Sequence, residues 1–322
     1  MLFDSSRVQR WTTPPDVGGR DYPDDGCLAL RALNQIGAAD FSQQLKTAGA
    51  VFAMLVTTCL VFINGHSFHS PAKPVKLPQH HIRSRALGAK TIIVTGAAGA
   101  LGSALSMVVA REGFNTVMVD CDQRGLEQAY DRITKADLPD PALYPLDLSA
   151  AGPENFDEML DKVSTEFGGL DAVVHCAARF EGLTPLEQIS PTDWLLQIQV
   201  NLNAAWLLSA QCLPLLRNSK SGHLYFMLEN LPKVRGAFWG AYCVSKHALR
   251  ALVNQFAAEC KSSRIQVLGI NPGPFRSGLR ARAYHAENPA SQPSPQLAAE
   301  HIMELLKGDI EPDDNFVNLQ RD

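Results

Sequence analysis

At 322 residues and 35.1 kDa the chain is long for one domain and short for two large ones, and 46% apolar with 19% charged residues excludes wholesale disorder. The net charge of −4 and pI near 6.1 leave no dominant basic patch, which argues against a nucleic-acid partner. Seven scattered cysteines, with no C-x-x-C pair and no Cys/His cluster, argue against a disulfide framework and a zinc site; reduced thiols and no metal are expected.

Residues 1–46 are polar and rich in turn formers, such as Pro14-Pro15, Gly18-Gly19 and Asp24-Asp25-Gly26. They read as loop or disorder around one weak helical stretch, Leu28 to Ile36. Residues 47–65 form an apolar segment within the uncharged interval between Lys46 and Lys73. Its core, Ala48 to Ile63, is about 16 residues long, against the roughly 17–25 that span a bilayer. It lies too far from Met1 for an ordinary cleaved signal peptide. Three readings are open: a single membrane anchor, a buried helix, or an extension from a mistaken start codon. As an anchor, the cluster Lys73, Lys76, Arg83, Arg85 and Lys90 behind it would leave the C-terminal domain in the cytoplasm. Residues 66–88, with Pro71, Pro74 and Pro78, read as a stiff linker.

Residues 89–322 suffice for one domain with a sizeable core. Strand-like runs fall at Thr91–Val94, Thr116–Val119, Leu143–Leu146, Ala172–Val174, Leu224–Leu228 and Val267–Ile270. Helical patterns lie between them, at about 101–112, 125–135, 154–167, 191–217 and 240–261, and Phe316–Leu319 reads as a shortened last strand. Short continuous apolar strands between helices predict a single α/β domain with a doubly wound parallel sheet, covered on both faces.

The first strand runs into Thr95-Gly96-Ala97-Ala98-Gly99-Ala100-Leu101-Gly102. Small residues there let the backbone approach a pyrophosphate, and the following helix offers free N–H groups and the positive end of its dipole. Strand before and helix after are the context that a Rossmann-type dinucleotide loop requires. The second strand ends at Asp120, 24 residues past Gly96. A carboxylate there accepts hydrogen bonds from ribose hydroxyls and repels a 2′-phosphate, so NAD is expected over NADP. Further on, Tyr242 and Lys246 stand four apart at the start of a long helix, on one face. A nearby ammonium lowers a tyrosine pKa, which makes Tyr242 a candidate acid/base for hydroxyl–carbonyl interconversion.

These stations together resemble the short-chain dehydrogenase/reductase family over about residues 89–310. The stretch Phe238-Trp239-Gly240-Ala241-Tyr242, with Ile270–Gly273 and Arg280–Ala283, is similar to the YciK-like bacterial oxidoreductases. The loop follows T-G-x-x-G-x-x-G spacing, with Ala100 where another branch has its middle glycine. The resemblance implies that Asp147, with Leu148 beside it, contacts adenine and that Cys176, Ala177 and Ala178 pass close to the cofactor. It implies that Asn201 holds a proton-relay water, that Pro272, Gly273, Phe275 and Ser277 border the nicotinamide, and that Lys246 binds its ribose. It also implies a small alcohol or carbonyl substrate, a mobile substrate loop over Arg276–Pro295, and a homodimer or homotetramer built on the helices holding Trp194–Leu216 and Tyr242.

Two positions depart from the family pattern. His175-Cys176-Ala177-Ala178 replaces N-N-A-G, and His175 reads as a satisfied core histidine. Glu229 occupies the catalytic serine position, thirteen residues before Tyr242. A serine donates a hydrogen bond to the substrate oxygen, whereas an ionised Glu229 cannot, and its charge raises the pKa of Tyr242. Three outcomes are open: a protonated Glu229 donates, the Asn230 amide substitutes, or Glu229 pairs with Lys246 and the site is weak. The leading reading is an NAD-dependent oxidoreductase with Tyr242, Lys246, Asn201 and Glu229 at its centre. The alternative is a dinucleotide-binding sensor or scaffold with impaired catalysis.

Overall fold

The computed structural model describes residues 89–310 and 312–319, so the polar extension, the apolar segment and the linker expected over 1–88 lie outside the described residues. Seven parallel strands form one sheet: β1 (Thr91–Thr95), β2 (Asn115–Asp120), β3 (Ala142–Pro145), β4 (Ala172–His175), β5 (Gly222–Met227), β6 (Ile265–Asn271) and β7 (Phe316–Asn318). Their order across the sheet is β3-β2-β1-β4-β5-β6-β7. The order reverses between β1 and β4, and a crevice opens there beyond the carboxyl ends of the strands, as in other doubly wound sheets.

Alternating side chains of each strand serve opposite layers. Ile93, Val117 and Val119 pack with helices α3 (Pro153–Phe167), α5 (Ala204–Asn218) and α7 (Gly240–Cys260). Ile92, Val94 and Met118 pack with α1 (Ala100–Arg111), α2 (Gln123–Lys135) and α9 (Pro295–Lys307). All five residues of β1 are buried, and its three central residues Ile92, Ile93 and Val94 form an unbroken apolar run. Each fully buried Ile, Leu or Phe of these layers contributes about 1.5–3 kcal/mol.

Local signals fix the helix ends. Asp122 caps α2 by accepting the Gly125 N–H at 3.1 Å, and Ser294 with Pro295 opens α9. Gly168 and Gly308 close α3 and α9 with left-handed φ of +79° and +82°. The limits of the expected strands and helices match to within about two residues, whereas α9 was not among them. The helix expected over 191–217 is a continuous rod with an interruption: α4 (Pro191–Ile198), a π-helical stretch at Gln199–Asn203, then α5. Two short helices, α6 (Leu231–Val234) and α8 (Gly278–Ala283), flank the sheet's carboxyl edge. Among the described residues no helix is long and apolar enough to cross a membrane.

Candidate active site

A cavity of about 590 Å³ lies over the carboxyl ends of β1, β2, β4, β5 and β6. Its floor is the loop between β1 and α1. Gly96 turns the chain with φ +66°, and a Cβ there would stand 2.7 Å from the Ala177 backbone. A Cβ on Gly102 would stand 2.1 Å from the Gly96 carbonyl oxygen. Both positions therefore demand glycine. No side chain caps α1 at Gly99, and Gly99, Ala100, Leu101 and Gly102 line the cavity. A cradle of backbone at an uncapped helix N-terminus fits a pyrophosphate.

Two carboxylates stand at the β2–β3 end. Asp120 accepts the Ala98 N–H and the Asp122 N–H, both at 3.0 Å, which locks the glycine loop to the tip of β2. Asp147 accepts the Ser149 N–H at 2.9 Å, and Leu148 borders it. Cys121 lies between them, its thiol pushed up first by burial and then by both carboxylates. No lysine or arginine lines this end among the described residues.

The chain after β4 forms the middle wall. Cys176, Ala177 and Ala178 line the cavity, and the Ala177 N–H donates to Thr95 Oγ1 at 3.3 Å. Burial pushes the Cys176 thiol up to about 12. His175 faces away from the cavity. Its Nε2 meets Ser209 Oγ at 2.9 Å, its ring stacks on Phe226, and burial drives its pKa down to about 3. It is a satisfied core histidine, as the sequence suggested.

The opposite end holds the tyrosine and lysine of α7. Tyr242 is 2% and Lys246 3% exposed, so both are nearly removed from water. The Tyr242 hydroxyl donates to Glu229 Oε2 at 3.1 Å, and Glu229 Oε1 accepts the Asn230 N–H at 3.1 Å. Lys246 Nζ donates to the Met227 carbonyl at 2.8 Å and stands 5.6 Å from the centre of the Tyr242 ring. Burial lowers its pKa to about 8. Tyr242 moves the other way: burial, then the Glu229 charge and hydrogen bond, push it well above its ordinary value. The expected lowering of Tyr242 by Lys246 is thus corrected: burial raises it first, and the carboxylate touches the hydroxyl while the ammonium does not.

The contacts of Glu229 and Asn230 are as follows. Both of its oxygens accept hydrogen bonds, so it is placed as an acceptor. The Asn230 side chain caps α6 by accepting the Lys233 N–H at 3.3 Å. No ion pair joins Glu229 to Lys246 among the described residues.

Asn201 sits in the π-helical stretch behind the wall, and with Thr95 it borders a small second cavity. Its Oδ1 accepts the Arg179 N–H at 2.7 Å, and its Nδ2 donates to the Arg179 carbonyl and to Ser245 Oγ, each at 3.0 Å. Thr95, Ala98 and Asn201 therefore brace the site without lining the main cavity. Pro272, Gly273, Phe275 and Ser277 line it beside Tyr242. The segment expected as a substrate loop carries α8 and closes over this end. Sequence reasoning missed Ser245, the Arg179 backbone and the aromatic wall of Phe180, Trp239 and Tyr284.

The family model described as short chain dehydrogenase matches residues 90–288. The oxidoreductase YciK of Escherichia coli (strain K12) is 31% identical over 209 residues, covering 65% of this chain and 82% of that protein. A short chain dehydrogenase structure from Pseudomonas syringae superposes with a TM-score of 0.69 at 32% identity, covering 75% of this chain and 98% of that one. One from Shigella flexneri, complexed with NADP, superposes with a TM-score of 0.68 at 28% identity, covering 73% and 98%. With the glycine loop, the buried tyrosine–lysine pair and the strand order in place, the chain belongs to the short-chain dehydrogenase/reductase family of oxidoreductases.

Proposed function

We infer that the chain moves a hydride between a nicotinamide dinucleotide and a small molecule, interconverting a hydroxyl and a carbonyl. The observation that carries this reading is one cavity that has a backbone cradle at Gly96–Gly102 in its floor and the buried Tyr242–Lys246 pair at one end. A bound dinucleotide supplies or takes the hydride. Gly96, Gly99, Ala100, Leu101 and Gly102 hold its pyrophosphate, Asp120 its ribose, and Asp147 with Leu148 its adenine. Cys176, Ala177, Ala178, Pro272, Gly273, Phe275 and Ser277 border its nicotinamide, with Lys246 on the ribose.

Tyr242 gives or takes the proton at the substrate oxygen. Lys246, held by the Met227 carbonyl, keeps a positive charge under the tyrosine ring below about pH 8. Asn201 positions the wall by clamping the Arg179 backbone.

NAD is preferred. Asp120 and Asp147 stand together at the ribose end, and among the described residues that line it there is no lysine or arginine, Arg124 lying outside the lining. The Shigella flexneri relative is complexed with NADP; in this chain a 2′-phosphate would meet the Asp120 carboxylate.

The subunits associate as a dimer or tetramer through α4, α5 and α7, which leave Leu195, Trp206 and Val244 exposed at 65%, 51% and 44%. The test is hydride transfer in the presence of NADH with Tyr242→Phe as control. General acid–base catalysis of this kind contributes about 10²–10⁴-fold, and a Phe variant of full activity removes the assignment.

A further inference from the structure

A reacting group that enters beside Tyr242 meets the two acceptor oxygens of Glu229 at the position where the family pattern has a donor. The tyrosine proton is directed onto Glu229 Oε2, and Oε1 takes the Asn230 N–H. A carboxylate used this way offers a substrate lone pairs only. The wall around it is aromatic: Phe180 stacks on Trp239 at 5.3 Å and tilts against Tyr242 at 5.1 Å, and Trp239 meets Tyr284 edge-on at 6.1 Å. Such ring faces attract cations.

Four of the five lysines and arginines that line the same cavity already make hydrogen bonds or ion pairs. Arg280 is held by Glu287 at 2.5 and 2.7 Å, and Arg179 by Glu181 at 2.7 Å. Arg282 donates to the Phe180 carbonyl at 3.0 Å and Lys246 to the Met227 carbonyl at 2.8 Å, while Lys233 is exposed. No lysine or arginine nitrogen pairs with Glu229 among the described residues.

We propose that this site accepts a protonated imine and its amine, and favours that C=N couple over the C=O couple, with Glu229 selecting for nitrogen. The inference rests on the hydride-transfer reading above and extends it to the reacting atom. The iminium carbon takes a hydride from the reduced nicotinamide dinucleotide and forms the new C–H bond. The C=N π pair becomes the nitrogen lone pair, and the positive charge passes to the oxidised dinucleotide. No proton has to arrive in this step, because the nitrogen already carries one. That suits Tyr242, whose proton is held on Glu229 and whose pKa lies well above its ordinary value.

The test uses the full chain with NAD present and two ligands of one bicyclic frame: tetrahydroisoquinoline, a cation near neutral pH, and the neutral tetralol. Calorimetric titration is expected to show the amine binding at least about tenfold more tightly. Glu229→Gln is expected to erase that preference while NAD binding stays within about twofold, which shows the variant folded. In a parallel assay of NADH oxidation, the wild type is expected to favour dihydroisoquinoline over tetralone, and Glu229→Ser the reverse. Equal binding of amine and alcohol, a preference that survives Glu229→Gln, or faster tetralone turnover by the wild type overturns the nitrogen assignment. If the charge-dependent binding holds but neither compound is turned over by the wild type or either variant, the oxidoreductase reading falls instead.

Discussion

Tyr242 and Glu229 are joined by a 3.1 Å hydrogen bond that ties the start of α7 to the end of β5. Thirteen residues separate them in sequence, and Glu229 stands where the family pattern has a serine that donates to the substrate oxygen. The replacement reverses the polarity of one wall of the site, from donor to acceptor.

Returning a donor to that wall has a defined consequence. Glu229→Ser is expected to raise kcat/KM for carbonyl reduction by about 10²-fold, the lower range of what one oxyanion donor contributes. Steady-state kinetics with a ketone and NADH checks it. A variant that stays at or below the wild-type rate means that the acceptor does not limit this reaction.

Asp120 makes two backbone hydrogen bonds and carries the charge that a 2′-phosphate would meet. Asp120→Ala is expected to weaken NADH binding and strengthen NADPH binding, moving the ratio of the two Kd values by about tenfold or more, equivalent to about 1.4 kcal/mol. Fluorescence titration of both nucleotides reads the ratio directly. An unchanged ratio takes the preference away from Asp120.

Asn201 uses its amide on both backbone groups of Arg179 and on Ser245. Asn201→Ala leaves the Arg179 N–H without its side-chain acceptor and is expected to destabilise the domain by about 2–4 kcal/mol, since each stranded polar group costs about 1–3. Urea unfolding measures this. Wild-type stability would show that the clamp contributes nothing to the fold.

Two buried histidines set the acid limb of stability. Burial holds His175 neutral down to about pH 3 and His223 down to about 4, against an ordinary 6.5. Below about pH 6.5 the unfolded chain takes up protons that the folded chain refuses, so stability is full above that pH and lost as pH falls toward 4 and 3. His175→Gln keeps a polar partner for Ser209 without the titration. Its urea midpoint is expected to fall less steeply from pH 6.5 to 3.5 than that of the wild type. Parallel slopes would show that His175 does not govern the acid limb.

Much of this architecture was legible because it is written in local spacing. The glycine loop, the strand runs and the four-residue step from Tyr242 to Lys246 each reflect one element's own periodicity. What escaped the sequence depends on contacts between elements. The π-helical stretch that turns Asn201 onto Arg179 leaves no composition signal. The Lys246 bond to the Met227 carbonyl depends on how α7 lies on β5, and so does the direction of the Tyr242 shift. The aromatic wall draws Phe180, Trp239 and Tyr284 from three separate connections. Glu229 was visible as a departure, but its hydrogen bonds to Tyr242 and to the Asn230 N–H depend on how β5 meets α7.

The central claim is that this cavity binds a nicotinamide dinucleotide for use by Tyr242. The most direct measurement is titration of the full chain with NADH and with NADPH, following nicotinamide fluorescence and the melting temperature together. Saturable binding that favours NADH is predicted, with a rise in apparent stability following RT ln(1 + [L]/Kd), about 2.7 kcal/mol at a hundredfold excess over Kd. Absence of binding by either nucleotide would contradict the account, since the cradle at Gly96–Gly102 would then serve no cofactor.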